Sequence, residues 1–164
     1  MTTVGERILK EGGIAGALGY VAVAGLFLVL NLIAGRHALY TPAALGSALF
    51  FDLSGPADVV VAPGPVFAYN GTHLAISLMI GMAASWMIAE TESHHALWYA
   101  VFFAFLAGFM AFVFFFGALT VEIKGVMSWG EVVAGNVAGA AATVGYLGWM
   151  HRRLPSEIEE EYGG

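Results

Sequence analysis

Four long stretches of this chain contain no Asp, Glu, Lys or Arg, and each is about as long as the roughly 20 residues a helix needs to cross a bilayer. That single pattern restricts the fold more than any other feature. A soluble core cannot be built from uninterrupted apolar runs of this length, because one face of each element must meet water. In lipid the only spanning structures are helices and closed barrels. Runs of continuous rather than alternating apolar residues select helices. Composition agrees: 59% of the 164 residues are hydrophobic and 11% are charged, against roughly 25% charged in soluble chains, and the mean hydropathy is +0.79.

The sequence therefore predicts an all-α integral membrane protein, a four-transmembrane-helix bundle with spans at about 13–35, 66–89, 96–119 and 131–150. Residues 1–153 form a single transmembrane domain, and 154–164 an acidic C-terminal tail. Residues 1–12 read as a polar interfacial lead-in. The apolar run after Arg7 and Lys10 is too long for a signal-peptide core, and no small-x-small site follows it, so it reads as an uncleaved first helix. In the long break between spans one and two, Thr41-Pro42 looks like an N-cap followed by proline at the first helical position. This predicts a short interfacial or re-entrant helix from Ala43 to Phe51, stopped by Gly55-Pro56.

With both termini on one side, Arg7, Lys10, Arg152 and Arg153 collect there, against Arg36 and Lys124 opposite; this predicts cytoplasmic termini. Trp86, Trp98, Trp129, Trp149, Tyr20, Tyr40 and Tyr146 fall mostly near the expected interfaces, as aromatic anchors should. A multi-pass chain of this kind is expected in a bacterial inner or intracytoplasmic membrane.

The helix faces carry readable stripes. Asn70, His73, Ser77, Gly81 and Ser85 share one face of span two. Small-xxx-small pairs occur at Gly12/Gly16 and Ala15/Gly19 in span one, and at Gly135/Gly139 and Ala141/Gly145 in span four. Such pairs let helix backbones approach closely. In span three, Ala100, Ala104, Ala107 and Ala111 form a small stripe, expected to pack inward. Phe105, Phe109, Phe112 and Phe116 form a second stripe, expected to face outward to lipid, to another subunit or to a flat cofactor.

Asn31, Asn70, His73 and Asn136 are the notable polar residues inside the spans, and all lie near the same membrane face. Some of them are expected to converge in a polar cluster, and interhelical hydrogen bonding is the plain explanation of one. The sharper alternative is that His73 ligates a haem iron or a chlorin magnesium, with His37 as the second candidate ligand on that side. On the cytoplasmic side, Glu90, Glu92, His94, His95 and His151 form a loose group without metal-ligand spacing, so no metal site is expected. The absence of cysteine excludes disulfides, thiolate ligands and a thiol nucleophile.

No phosphate loop, dinucleotide fingerprint or nucleophile elbow occurs. Six Lys and Arg and a net charge of −6 exclude a basic nucleic-acid surface. The partners expected are the lipid bilayer and other membrane protein subunits. The leading functional expectation is a small, non-catalytic accessory subunit of a larger membrane complex, by analogy a photosynthetic or respiratory one. A haem- or chlorin-binding protein using His73 and a small oligomeric channel or transporter are the alternatives.

Overall fold

The computed structural model describes the backbone of residues 4–93, 98–118, 121 and 125–151, and their side chains except at 92, 93, 98–102, 104 and 105. Regular structure among these residues is helical: α1 (Val4–Ile33), α2 (Tyr40–Phe50), a 3-10 turn (Pro56–Asp58), α3 (Pro63–Ser93), α4 (Trp98–Ala118) and α5 (Trp129–Met150). Three of them, α1, α3 and α5, are long and apolar enough to cross a membrane. In α4 the described residues Leu106–Ala118 form an apolar stretch.

The boundaries differ from the sequence reading in ways that have local causes. The lead-in is not a separate interfacial segment, since α1 is continuous from Val4. Its end is set by Gly35, whose φ of +67° lets the chain reverse. There the Gly35 N–H reaches the Leu32 carbonyl and the Arg36 N–H the Asn31 carbonyl. Thr41 does not cap α2: the capping position is Leu39, and Pro42 falls inside the first turn. Just past the end of α2, Asp52 lies in the left-handed region at φ 51°, and the Leu53 N–H turns back to the Ser47 carbonyl.

α1 is the spine of the bundle, and its two small-residue pairs serve two different partners. Gly12 and Gly16 meet α3, where a methyl on Gly12 would lie 2.5 Å from the Met82 Cα and one on Gly16 would land on the Ser77 carbonyl. From the other side, a methyl on Gly81 would strike the Gly12 carbonyl oxygen. Ala15 and Gly19 meet α5, where the Thr143 hydroxyl donates to the Ala15 carbonyl at 3.2 Å. Further along, Gly135 lies under the Phe27 ring and Gly139 against Val23. Interhelical bonds of the Thr143 kind contribute roughly 0.6 kcal/mol each in membranes, so close packing does most of the work. Ala141/Gly145 serves no such contact: both residues are exposed, and nothing lies within 4 Å of a methyl built on Gly145.

A polar side-chain contact ties each end of the antiparallel α1–α5 pair. Glu11 Oε2 meets His151 Nε2 at 2.9 Å, beside the start of α1 and the end of α5. At the α2 end, Arg36 Nη2 donates to Glu131 Oε1 at 3.2 Å, and its guanidinium lies 4.9 Å from the Tyr40 ring centre. Glu131 is also half of a capping box: its Oε2 accepts from the Ser128 N–H while the Ser128 hydroxyl accepts from the Glu131 N–H. These two roles are separable. Glu131→Gln retains the box and should lower stability by about 0.5 kcal/mol, as expected for a partly exposed ion pair. Glu131→Ala loses both and should cost about 1 kcal/mol more. Thermal unfolding of the two variants checks the ordering, and equal losses would show that the cap contributes nothing.

α2 is buried at Thr41 and from Ala43 through Ser47 and Ala48. One side packs across the start of α3, with Gly46 directly on the Pro65 carbonyl. Ala44, Leu45 and Ala48 also form a cluster with Leu53 and Val126, so the 53–59 and 126–127 segments cover the helix. α4 is fastened to α5 near the same end, where the Trp129 ring lies on Gly117 and stacks with Phe114 at 6.1 Å.

Candidate functional site: a groove inside the bundle

α3 and α5 both pack on α1, and near the chain termini they converge, with Ala15, Ala84 and Leu147 forming one buried cluster. Towards α2 they leave a groove of about 220 Å³. α1 forms its back wall through Gly19, Val23 and Phe27, and α4 its front through Phe109, Phe112 and Phe116. Leu45 and Leu49 of α2 and Met127 contribute at one end. The lining runs from Tyr69 to Ala84 along α3 and from Val132 to Val144 along α5. At 1.5 Å per residue, that is a length of roughly 20 Å.

This arrangement reverses the orientation expected for α4. Phe109, Phe112 and Phe116 face inward onto the groove, whereas Ala107 and Ala111 are exposed. The side chains of Phe105, Ala100 and Ala104 lie outside the described residues. The reason is volume. Small residues on α3 and α5 are already committed to α1, so the gap between these helices admits large side chains, and a second small face would leave it emptier. The outward face of α4 is instead formed by Phe103, Leu106, Met110 and Phe114, all exposed.

The four polar residues share a depth but do not form one cluster. Asn31 is fully buried and paired with α2: its Nδ2 donates to the Thr41 hydroxyl at 3.0 Å, and that hydroxyl donates back to Oδ1 at 3.1 Å. Asn70 accepts from the Tyr20 hydroxyl at 3.0 Å and donates to the Val66 carbonyl. His73 sits between two aromatic rings, Tyr20 at 5.3 Å and Tyr69 at 5.5 Å. Asn136 donates to the Val132 carbonyl in its own helix. Of the four, His73 and Asn136 line the groove, and Asn70 is linked to His73 through Tyr20. Equal depth along a helix axis does not imply equal direction around it; Asn31 points at α2 and the others into the α1–α3–α5 space.

Tyr20 and Tyr69 are the residues that sequence reasoning missed. Tyr20 belongs to a set of aromatic residues expected mostly at the interfaces, but it lies near the middle of α1 and hydrogen-bonds across to α3. Its distance from both helix ends was the available signal. His37 is exposed, accepts the Leu39 N–H on Nδ1, and is not among the groove residues, so it does not join His73. Glu92, His94 and His95 lie outside the described residues or side chains. His151 pairs with Glu11. Among the described residues no three His, Asp or Glu side chains come together as a metal site would require.

What the groove offers chemically is an apolar, partly aromatic wall with a few neutral polar groups. Flat or chain-like apolar molecules gain contact with Phe rings in such a space. No Asp, Glu, Lys or Arg is among its lining residues, so the described wall supplies hydrogen bonds but no fixed charge. No protein-family model matches the chain, and neither a curated protein nor a solved structure matches it.

Proposed function

We propose that this chain is a non-catalytic integral membrane protein that holds one apolar molecule inside its helical bundle and serves as a small subunit beside larger membrane proteins. In this reading α1, α3, α4 and α5 all cross the bilayer, and both termini face the cytoplasm of a bacterial inner or intracytoplasmic membrane. The 21 residues of α4 are enough for a core of roughly 30 Å. The pairing of Glu11 with His151 puts the start of α1 beside the end of α5, which supports an even number of crossings.

The observation that carries the ligand-holding part is the groove itself. Membrane bundles held by small residues pack their helices backbone to backbone, as α1 and α3 do here. A space walled by three Phe of α4 and by Phe27 stands out against that packing. A cavity of roughly 150 Å³ suffices to bind a benzene-sized molecule, and this one is larger. The test is mass spectrometry of the protein purified from its native membrane in mild detergent. A molecule retained in near one-to-one ratio is expected; a chain that carries only bulk lipid in bulk proportions would sink the idea. The subunit part draws on the outward apolar face of α4, and predicts elution with larger membrane proteins. A stable, solitary monomer would end it.

A haem or chlorin on His73 is the second reading. It is favoured by one observation: His73 faces the groove and makes no hydrogen bond among the described residues. A visible absorption band lost in His73→Leu would establish it, and a colourless preparation would remove it. The channel alternative draws little support from walls that are mainly apolar.

A further inference from the structure

The two ends of the groove are chemically unlike. Tyr69, Thr72, His73 and Asn136 all lie towards α2. Beyond Ser77 the lining turns to Ile80, Ala84, Ala140 and Val144, and the one hydroxyl there, Thr143, is committed to the Ala15 carbonyl. The lining extends roughly 20 Å along the helices, so the space is elongated. It fits a chain lying along the helix axes better than a set of fused rings.

The polar end also restricts what the head of such a chain can be. With no charged side chain among the lining residues, a carboxylate or phosphate head would lose its water without a counter-ion, at a large desolvation cost. A neutral oxygen meets matched partners. A neutral imidazole offers one N–H and one lone pair, and His73 makes no hydrogen bond among the described residues. Asn136 uses its Nδ2 on the Val132 carbonyl, which leaves Oδ1 as an acceptor. A hydroxyl can donate to Oδ1 and accept from the imidazole; a carbonyl can accept from the imidazole alone.

Resting on the ligand-holding reading above, we propose that the groove takes a single-chain lipophile with an uncharged oxygen head, a hydroxyl or a carbonyl. Its head is bound by His73 and Asn136 at the α2 end, and its tail runs along α3 and α5 towards Ala84.

The experiment uses the full chain in lipid nanodiscs and a long-chain primary alcohol carrying a diazirine in mid-chain. Irradiation should place adducts on groove residues such as Ile80, Phe112 and Ala140. Unlabelled alcohol should compete about tenfold better than the alkane of equal length, the scale of one or two hydrogen bonds. The matching carboxylate, kept ionised, should compete no better than the alkane. His73→Leu combined with Asn136→Leu should abolish the preference for alcohol over alkane, while His73→Asn, which retains a donor and an acceptor, should keep most of it. Groove adducts with equal competition by alkane and alcohol overturn the head assignment but leave an apolar guest standing. Competition by the carboxylate equal to that by the alcohol overturns the requirement for a neutral head. Adducts confined to outward residues such as Phe103, Met110 and Val137 overturn both this proposal and the reading on which it rests.

Discussion

Gly81→Ala should destabilise the bundle by about 3 kcal/mol, while Gly13→Ala should leave it unchanged or slightly more stable. Both substitutions add one methyl group to a membrane helix, so composition does not distinguish them. At Gly81 the added methyl would overlap the Gly12 carbonyl oxygen and the Gly16 backbone. None of those atoms belongs to a side chain that can rotate away. The only relief is to move α1 and α3 apart, which loosens van der Waals contacts along the whole crossing. Such contacts are the main attraction between helices in lipid, where no hydrophobic drive is available. Overfilling a packed site ordinarily costs about 1–3 kcal/mol, and an all-backbone obstacle belongs at the top of that range. At Gly13 nothing lies within 4 Å of the new methyl, and alanine is the better helix former by up to about 1 kcal/mol. Reversible unfolding in mixed micelles, titrated with a denaturing detergent, measures both. Equal stability of the two variants would show that α1 and α3 do not meet at Gly12, Gly16 and Gly81.

The packing of α1 on its neighbours was legible in the sequence because it is written in residue size. Gly12/Gly16 and Gly81 mark places where a backbone comes close, Ala15/Gly19 and Gly135/Gly139 places where side chains of the neighbouring helix press in, and the helical period assigns them to faces. The same logic failed at Ala141/Gly145 and on α4. A stripe shows only that two faces of a helix differ; which one turns inward depends on the space its neighbours leave. For Phe109, Phe112 and Phe116 that space is the gap between α3 and α5, which a single-helix reading does not contain. The polar residues were legible in depth but not in direction. Asn31, Asn70, His73 and Asn136 lie at similar levels, yet Asn31 belongs to the joint with α2 and only His73 and Asn136 share the groove. Thr41 shows the competition plainly. Its position before proline fits a cap, but a fully buried Asn31 demands a partner more strongly than an exposed helix start does.

Asn31→Leu should cost about 2 kcal/mol and release α2 preferentially. The substitution changes shape little, but it leaves the Thr41 hydroxyl without its donor and acceptor and the Ala38 carbonyl without the Asn31 Nδ2 bond at 3.2 Å. A buried polar group left unpaired costs about 1–3 kcal/mol; a bond from Thr41 back to its own helix recovers part of this. Thr41→Val, which strands the Asn31 Oδ1 and one Nδ2 N–H but leaves the Nδ2 bond to the Ala38 carbonyl, should cost about 1 kcal/mol. The double variant separates pairing from packing. Removing both partners for apolar groups of similar size is nearly neutral, so Asn31→Leu with Thr41→Val should be more stable than the sum of the single losses by about 1 kcal/mol or more. Additive losses would mean that the pair does not hold α2. Hydrogen exchange locates the effect: Asn31→Leu should raise exchange across 40–50 well before it does so in α1 or α3. Because Leu45 and Leu49 form part of the groove wall, loosening α2 also opens the polar end of the groove. The same variant should therefore speed the escape of any molecule held there, and a dissociation rate equal to that of the unaltered chain would show that α2 does not gate that end.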